Sequence, residues 1–189
     1  MSQLIEISED LYIGEGNQKK VYHHPHDEHL CIKIAKPGKP RRLVGLKREI
    51  RYTAKYQDNL PFLAKYIQEQ DTNMGTGYVF ELIKNDNGKV STPLGLYIKN
   101  KTVSELDKKV AHIYRLLIQH RAPISDTNPN NFLIQDSQNN SQSLHLVDGF
   151  GNSDFIKICD FSKHFLKKKL DRKFSSLCKR LKISSDFIK

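Results

Sequence analysis

The chain has 189 residues, a net charge of +10, and 38% hydrophobic against 28% charged residues, a globular composition rather than a disordered one. No apolar run approaches the ~18 residues of a membrane span. Met1 to Glu6 carries neither the basic nor the apolar stretch of a signal peptide, so a cytoplasmic protein is expected. Cys31, Cys159 and Cys178 lie far apart without Cys-x-x-Cys spacing, which argues for reduced thiols rather than a disulfide framework or a structural zinc.

In chain order, Leu11 to Ile13 predicts a short strand, followed by the turn Ile13-Gly-Glu-Gly16 and a second strand near Val21-Tyr22. His23 to His29 reads as a polar hairpin turn around Pro25, and Leu30 to Ile34 alternates as a half-buried strand should. After the loop Pro37 to Pro40, Leu43, Leu46, Ile50 and Ala54 recur at helical spacing and predict a helix over about 42–57. Gly45 weakens it by up to ~1 kcal/mol relative to alanine. Gly77 to Ile83 reads as a buried strand, and Asn85 to Gly88 turns the chain away. Thr102-Val-Ser-Glu105 reads as a capping box for a helix that places Leu106, Val110, Ile113 and Leu117 on one face and runs to about His120. A strand at Asn131 to Ile134, a hydrophilic loop from Asp136 to Ser143 and a return strand from Leu144 to Val147 lead to the turn Asp148-Gly-Phe-Gly151. A charged helix over about 161–182 closes the chain. The order is that of a two-lobed α+β protein with a hinge near residues 81–88.

Charge is concentrated at the end. From Lys157 onward there are eleven Lys or Arg against three Asp, which gives +8 of the total. Such a patch suits an anionic partner, whether a membrane surface or a nucleic acid, although charge blocks also serve as solvated helix faces. His23, His24, His26 and His29 could ligate a metal, but an exposed turn with no second cluster favours simple solvation. Tyr52, Tyr56 and Tyr66 sit among Lys and Arg, where packing is the better reading than base stacking.

Five features carry possible chemistry: Gly14-x-Gly16 in a strand-turn-strand, Lys33 on the alternating strand, Glu49 in the next helix, Asp126-x-x-x-x-Asn131 before a strand, and Asp148 after that strand's partner. Each alone is ordinary. Together they supply what phosphoryl transfer needs: a loop open to phosphates, a lysine held by a carboxylate, oxygen ligands for Mg²⁺ and a base for the acceptor hydroxyl. Their order and contexts resemble the protein-kinase signature set.

The chain thus resembles the protein-kinase-like superfamily and, more closely, the PhoP regulatory network protein YrbL family. The likeness runs end to end through Val21-Tyr-x-His-Pro25, Ile32-Lys-Ile34, Asp126-x-Asn-Pro-x-Asn131, Asp148-Gly-x-Gly151 and the basic tail Lys169 to Lys182. It implies an α+β, minimal two-lobed protein-kinase-like fold, with a β-rich N-lobe over 1–83 and a truncated helical C-lobe over 84–189. It implies ATP and Mg²⁺ as cofactors. Lys33 would contact the α/β-phosphates and Glu49 would hold it. Gly14 and Gly16 would cover the phosphates, and Glu81 to Ile83 would meet adenine through the backbone. Asp126 would be the base, and Asn131 and Asp148 would hold Mg²⁺.

The departures are specific. Lys19 stands where a third glycine belongs, which makes that turn less permissive, though a lysine there could also meet phosphate; Ile124 and Ser125 replace the His-Arg before the base, and Asn128 replaces the lysine expected two residues after it. The metal turn is Asp-Gly-Phe. Only 41 residues follow Asp148, which favours a small-molecule, sugar or lipid-headgroup hydroxyl as acceptor over a protein. A pseudokinase regulator is the first alternative, and a basic nucleic-acid-binding module the second.

Overall fold

The computed structural model describes residues 4–139, 141–154 and 158–188. Its first part is an antiparallel sheet of β1 (Tyr12–Glu15), β2 (Lys19–His24), β3 (Asp27–Ala35), β4 (Tyr66–Thr72) and β5 (Gly75–Glu81), in the order β1-β2-β3-β5-β4. Helix α1 (Pro40–Tyr56) connects β3 to β4, with a proline in its first turn, where the missing N–H costs nothing.

Side chains alternate across the sheet. Cys31 and Lys33 of β3 stand opposite Phe80 and Tyr78 of β5. Leu46 of α1 packs with Cys31, Tyr78, Phe80 and Leu82 in one cluster. Ile32, Ile34, Tyr22 and Val79 form a second cluster with Ile5 and Ile7. Residues 31–34 are therefore buried on both faces rather than half-buried. The cause is the N-terminal segment, which covers the face away from α1. Ile5 N–H donates to Asp71 O at 2.9 Å, and the Asn73 amide holds the N–H and carbonyl of Ile7 at 2.8 and 3.1 Å.

The second part contains β6 (Thr92–Pro93), α2 (Leu94–Asn100), α3 (Leu106–Gln119), β7 (Phe132–Asp136), β8 (Gln142–Leu146), α4 (Ile158–Phe161) and α5 (Lys163–Leu181). Strands β6, β7 and β8 form a small antiparallel sheet. The largest core gathers α3, these strands and α5. On α5, Leu166, Leu170, Phe174, Leu177 and Leu181 are buried at three- and four-residue spacing. The two parts are tied where Leu146 N–H donates to Phe62 O at 2.7 Å and Ala64 N–H donates to Leu146 O at 3.1 Å. That tie fixes the chain just ahead of Asp148. Among the described residues no helix is long and apolar enough to cross a membrane.

Several sequence expectations change. Strand β4 and helix α2 carry too little periodic apolar signal to be anticipated. The capping box at Thr102 to Glu105 does not form. Helix α3 begins only at Leu106, and Glu105 takes a left-handed conformation, φ 50°, with no side-chain cap. Ser104 N–H is held instead by Gln142 Oε1 at 2.9 Å, and the Glu105 carboxylate pairs with Lys108. The buried strand ends at Glu81, so Leu82 and Ile83 lie beyond it. The three cysteines are free, as expected, and burial pushes the Cys31 thiol up to about 11.

Phe174 is fully buried against the Tyr114 ring, whereas Phe161 is 89% exposed. Phe174→Ala is expected to destabilise the protein by about 3–5 kcal/mol in urea denaturation, and Phe161→Ala to stay within about 0.5 kcal/mol. Similar losses for both would contradict this core.

Candidate functional site

The face of the sheet under α1 ends in a charged cluster. Lys33 is 4% exposed, and Glu49 projects from α1 toward it. Lys33 Nζ donates to Glu49 Oε1 at 2.9 Å and to the Val147 carbonyl at 2.7 Å. It also lies over the Phe80 ring, 3.7 Å from the centroid. Expected from sequence as a pair, Lys33 and Glu49 are brought together.

Lys19 was not expected as a member of this cluster. It opens β2, is 5% exposed, and reaches Glu49 Oε2 at 2.5 Å and Asp148 Oδ1 at 3.0 Å. Burial alone would lower its pKa, but Glu49 and Asp148 outweigh that and raise it. Partial burial pushes the Asp148 carboxyl up, while Lys19 and Lys33 pull it down further, to about 2. The ladder register explains the placement. Val21 opposes Lys33 and Lys19 opposes Ala35, so both lysines share the α1 face. Gly45 of α1 makes room for the preceding turn, since a Cβ there would lie 2.3 Å from Gln18 Oε1.

Asp126, Asn131 and Asp148 converge at one turn. The N–H groups of Ser125 and Asp126 donate to Gly149 O at 2.9 and 3.1 Å. Asn128 N–H donates to Asp126 Oδ1 at 3.0 Å, and Asn131 Nδ2 donates to Asp126 O at 3.4 Å. That last bond leaves the Asn131 amide oxygen for another partner. A Cβ on Gly149, φ 76°, would sit 2.5 Å from Asp126 O and 2.7 Å from Asn131 Nδ2. Only glycine fits there, which accounts for Asp-Gly-Phe: the glycine lets the Asp148 turn lie against the Asp126 loop. Phe150 goes into the core, edge-on to Tyr56 at 5.9 Å.

Gly14 and Gly16 line the sheet edge differently. Neither has a positive φ, and a Cβ at either would meet nothing within 4 Å. The protein's own packing therefore does not require glycine at these positions. At the far end, Glu81 N–H donates to Lys65 O at 2.9 Å, Leu82 N–H to His29 O at 2.8 Å, and Ser91 N–H to Ile83 O at 2.9 Å. The Glu81 carbonyl and the Ile83 N–H take no part in these bonds; the carbonyl receives the Cys31 thiol at 3.9 Å.

The loop carrying Asp126 is stapled to α5. Lys173 Nζ donates to Ser125 O at 2.5 Å, Arg180 to Thr127 O at 3.0 Å, and Thr127 Oγ1 to Lys173 O at 3.0 Å. Burial lowers the Lys173 pKa, opposed by the Asp126 carboxylate nearby. Lys169 is spent on Asn152 and Asp154, each at 2.8 Å. Part of the basic tail is thus structural, and Lys163, Lys168, Arg172, Lys179 and Lys182 remain exposed. Lys157 and Lys189 lie outside the described residues.

As a metal site, Asn131 and Asp148 offer an amide oxygen and a carboxylate, a set that suits Mg²⁺ only when phosphate oxygens complete it. Among the described residues no group of three His, Cys, Asp or Glu could hold a metal, the His23 to His29 turn included. A cleft of about 410 Å³ lies elsewhere, beside Tyr97, Lys101 and Asp136. Its polar groups bond one another, Tyr97 to Asp136 and Gln142 to Tyr97, both at 2.7 Å. The buried charged groups gather instead at the Lys33–Asp148 cluster.

A family model described as PhoP regulatory network protein YrbL matches residues 5–182. The proteins named YrbL of Escherichia coli K12 and of Shigella flexneri are each 26% identical over 176 residues, which cover 89% of this chain and 84% of theirs.

Glu49→Gln would leave two buried ammonium groups short of a carboxylate. It is expected to cost about 3–5 kcal/mol in urea denaturation. Lys33→Met should cost less, because Lys19 still pairs with Glu49. The reverse ranking would contradict the shared-carboxylate arrangement.

Proposed function

The chain belongs to the PhoP regulatory network protein YrbL family, and from the site it builds we propose an ATP- and Mg²⁺-dependent phosphotransferase of minimal two-lobed kinase-like fold. Its acceptor would be a hydroxyl of a small molecule, sugar or lipid headgroup. The observation that carries the reading is the joint geometry: a buried Lys33–Glu49 pair at 2.9 Å faces a turn where Asp126, Asn131 and Asp148 meet.

In this reading residues 1–83 are the N-lobe and 84–189 the C-lobe. ATP lies between them with adenine on the Glu81 carbonyl and Ile83 N–H, neither of which takes part in the loop bonds that anchor this stretch. Gly14 and Gly16, whose side-chain positions open on empty space, let the backbone approach the phosphates. Lys33 neutralises the α/β-phosphates and Glu49 fixes its position. When bound, Mg²⁺ on Asn131 and Asp148 would neutralise charge on the β- and γ-phosphates. Asp126 accepts the acceptor's proton as its oxygen bonds to the γ-phosphorus and the bond to the ADP oxygen breaks. Asn128 supplies no charge to that transfer, and Lys173, bonded one residue before Asp126, is a cation close to that carboxylate. The work is positioning and charge neutralisation.

A second reading is a regulator that binds nucleotide without transferring phosphate. The ammonium of Lys19 on Asp148 and the neutral Asn128 favour it.

Thermal denaturation with ATP, with and without Mg²⁺, tests the nucleotide site. Ligand at ~100 Kd should add about 2.7 kcal/mol, a rise of roughly 5–10 °C. No shift with any nucleotide would sink both readings. Asp126→Ala should abolish phosphoryl transfer yet keep ATP binding, and transfer at the wild-type rate would remove Asp126 as base. Asp148→Ala should weaken Mg²⁺-dependent ATP binding. Binding without any transfer across hydroxyl acceptors would select the regulator.

A further inference from the structure

Lys19 holds a position that the proposed reaction does not explain. Its ammonium is buried and lies on the carboxylate proposed to take Mg²⁺, at 3.0 Å from Asp148 Oδ1. An ammonium and a divalent ion cannot share that oxygen closely, since Mg²⁺ binds at about 2.0–2.1 Å and like charges repel strongly where water is scarce. We infer that Lys19 is a tethered counter-cation: it keeps a free divalent ion off Asp148 in the empty protein and moves to the nucleotide phosphates when the ion arrives with its nucleotide. This rests on the phosphotransferase reading and adds a regulation of the same site.

Charge accounting supports the exchange. Two lysines, 19 and 33, face two carboxylates, Glu49 and Asp148, so the formal charges of the four groups balance. A bare Mg²⁺ would leave them with two excess positive charges, whereas Mg²⁺ bound to a polyphosphate would not. The departure of Lys19 strands no buried charge. Glu49 keeps Lys33 at 2.9 Å, the ion takes Asp148, and the phosphates take Lys19. The lysine stem is flexible enough for the movement. Lys19 also begins its strand directly after the turn carrying Gly16, on the side where side-chain space is empty.

Mn²⁺ binding to the nucleotide-free protein, followed by electron paramagnetic resonance, tests the exclusion. Lys19→Met should bind Mn²⁺ at least about tenfold more tightly than wild type, and adding Asp148→Asn should reverse the gain. Equal affinities in wild type and Lys19→Met overturn the exclusion. The movement is tested in the wild-type protein with an acyl-phosphate derivative of ATP and Mg²⁺. A lysine amine that reaches the phosphates attacks the acyl carbon, an amide forms, the acyl–oxygen bond breaks, ATP leaves and the amine proton passes to solvent. Mass spectrometry should find the acyl group on Lys19 as well as Lys33, both blocked by excess ATP. Acylation of Lys33 alone overturns the movement while leaving the nucleotide site intact. Acylation of neither lysine overturns the nucleotide reading and the movement together, and the Mn²⁺ result then decides the exclusion by itself.

Discussion

Two ammonium groups share one buried carboxylate at Glu49, and that sharing sets the position of everything around it. Charges taken out of water are costly unless each has a partner at close range. Lys33 belongs to β3, Lys19 to β2, Glu49 to α1, and Asp148 to the turn after β8. None of these four segments can slide without stranding a charge. The Val147 carbonyl on Lys33 adds a neutral restraint to the same join. The apolar packing of Leu46 on Tyr78 and Phe80 brings α1 to the sheet, and the ion pairs fix which turn of the helix faces which strand residue.

Much of this was readable from residue order. Lys33, Glu49, Asp126, Asn131 and Asp148, singled out in the sequence by their order and contexts, lie in two adjoining clusters joined at Asp148 and Gly149. The pairing of Lys19 with Glu49 and Asp148 was not readable, for a geometric reason. The two-residue turn at Pro25 and His26 pairs His24 with Asp27. Counting back from there would place Lys19 opposite Ile32, on the face away from α1. An irregularity between His23 and His24 shifts the ladder, so Val21 meets Lys33 and Lys19 meets Ala35. A single bulge thus turns Lys19 from the outer face to the charged one, and no local sequence signal announces it. The same limit applies at Thr102 to Glu105, where a sound capping pattern loses to Gln142 from a distant strand. Strand β4 was missed because Gln68, Glu69 and Asp71 give it a polar pattern, and only its pairing with β5 makes it a strand.

The basic tail shows how a charge count can mislead. As a block of sequence it reads as an electrostatic surface. In the fold, Lys169 and Lys173 turn inward to Asp154 and Ser125, and Arg180, though exposed, bonds the Thr127 carbonyl. What remains outward is a smaller cationic face, divided from the buried leucines of α5 by ordinary helical spacing.

The stapling of the Asp126 loop to α5 also orders events during synthesis. Residues 125–131 leave the ribosome well before residues 173–180, which must arrive to bond Ser125 and Thr127. At roughly 5–20 residues per second, the wait lasts on the order of seconds. In that interval the sheet and α1 can already join Lys33 to Glu49, but the Asp126 loop lacks its supports. A half-made chain would hold the Lys33–Glu49 pair before it fixes the loop that carries Asp126, so that loop is the last part of the site to be set.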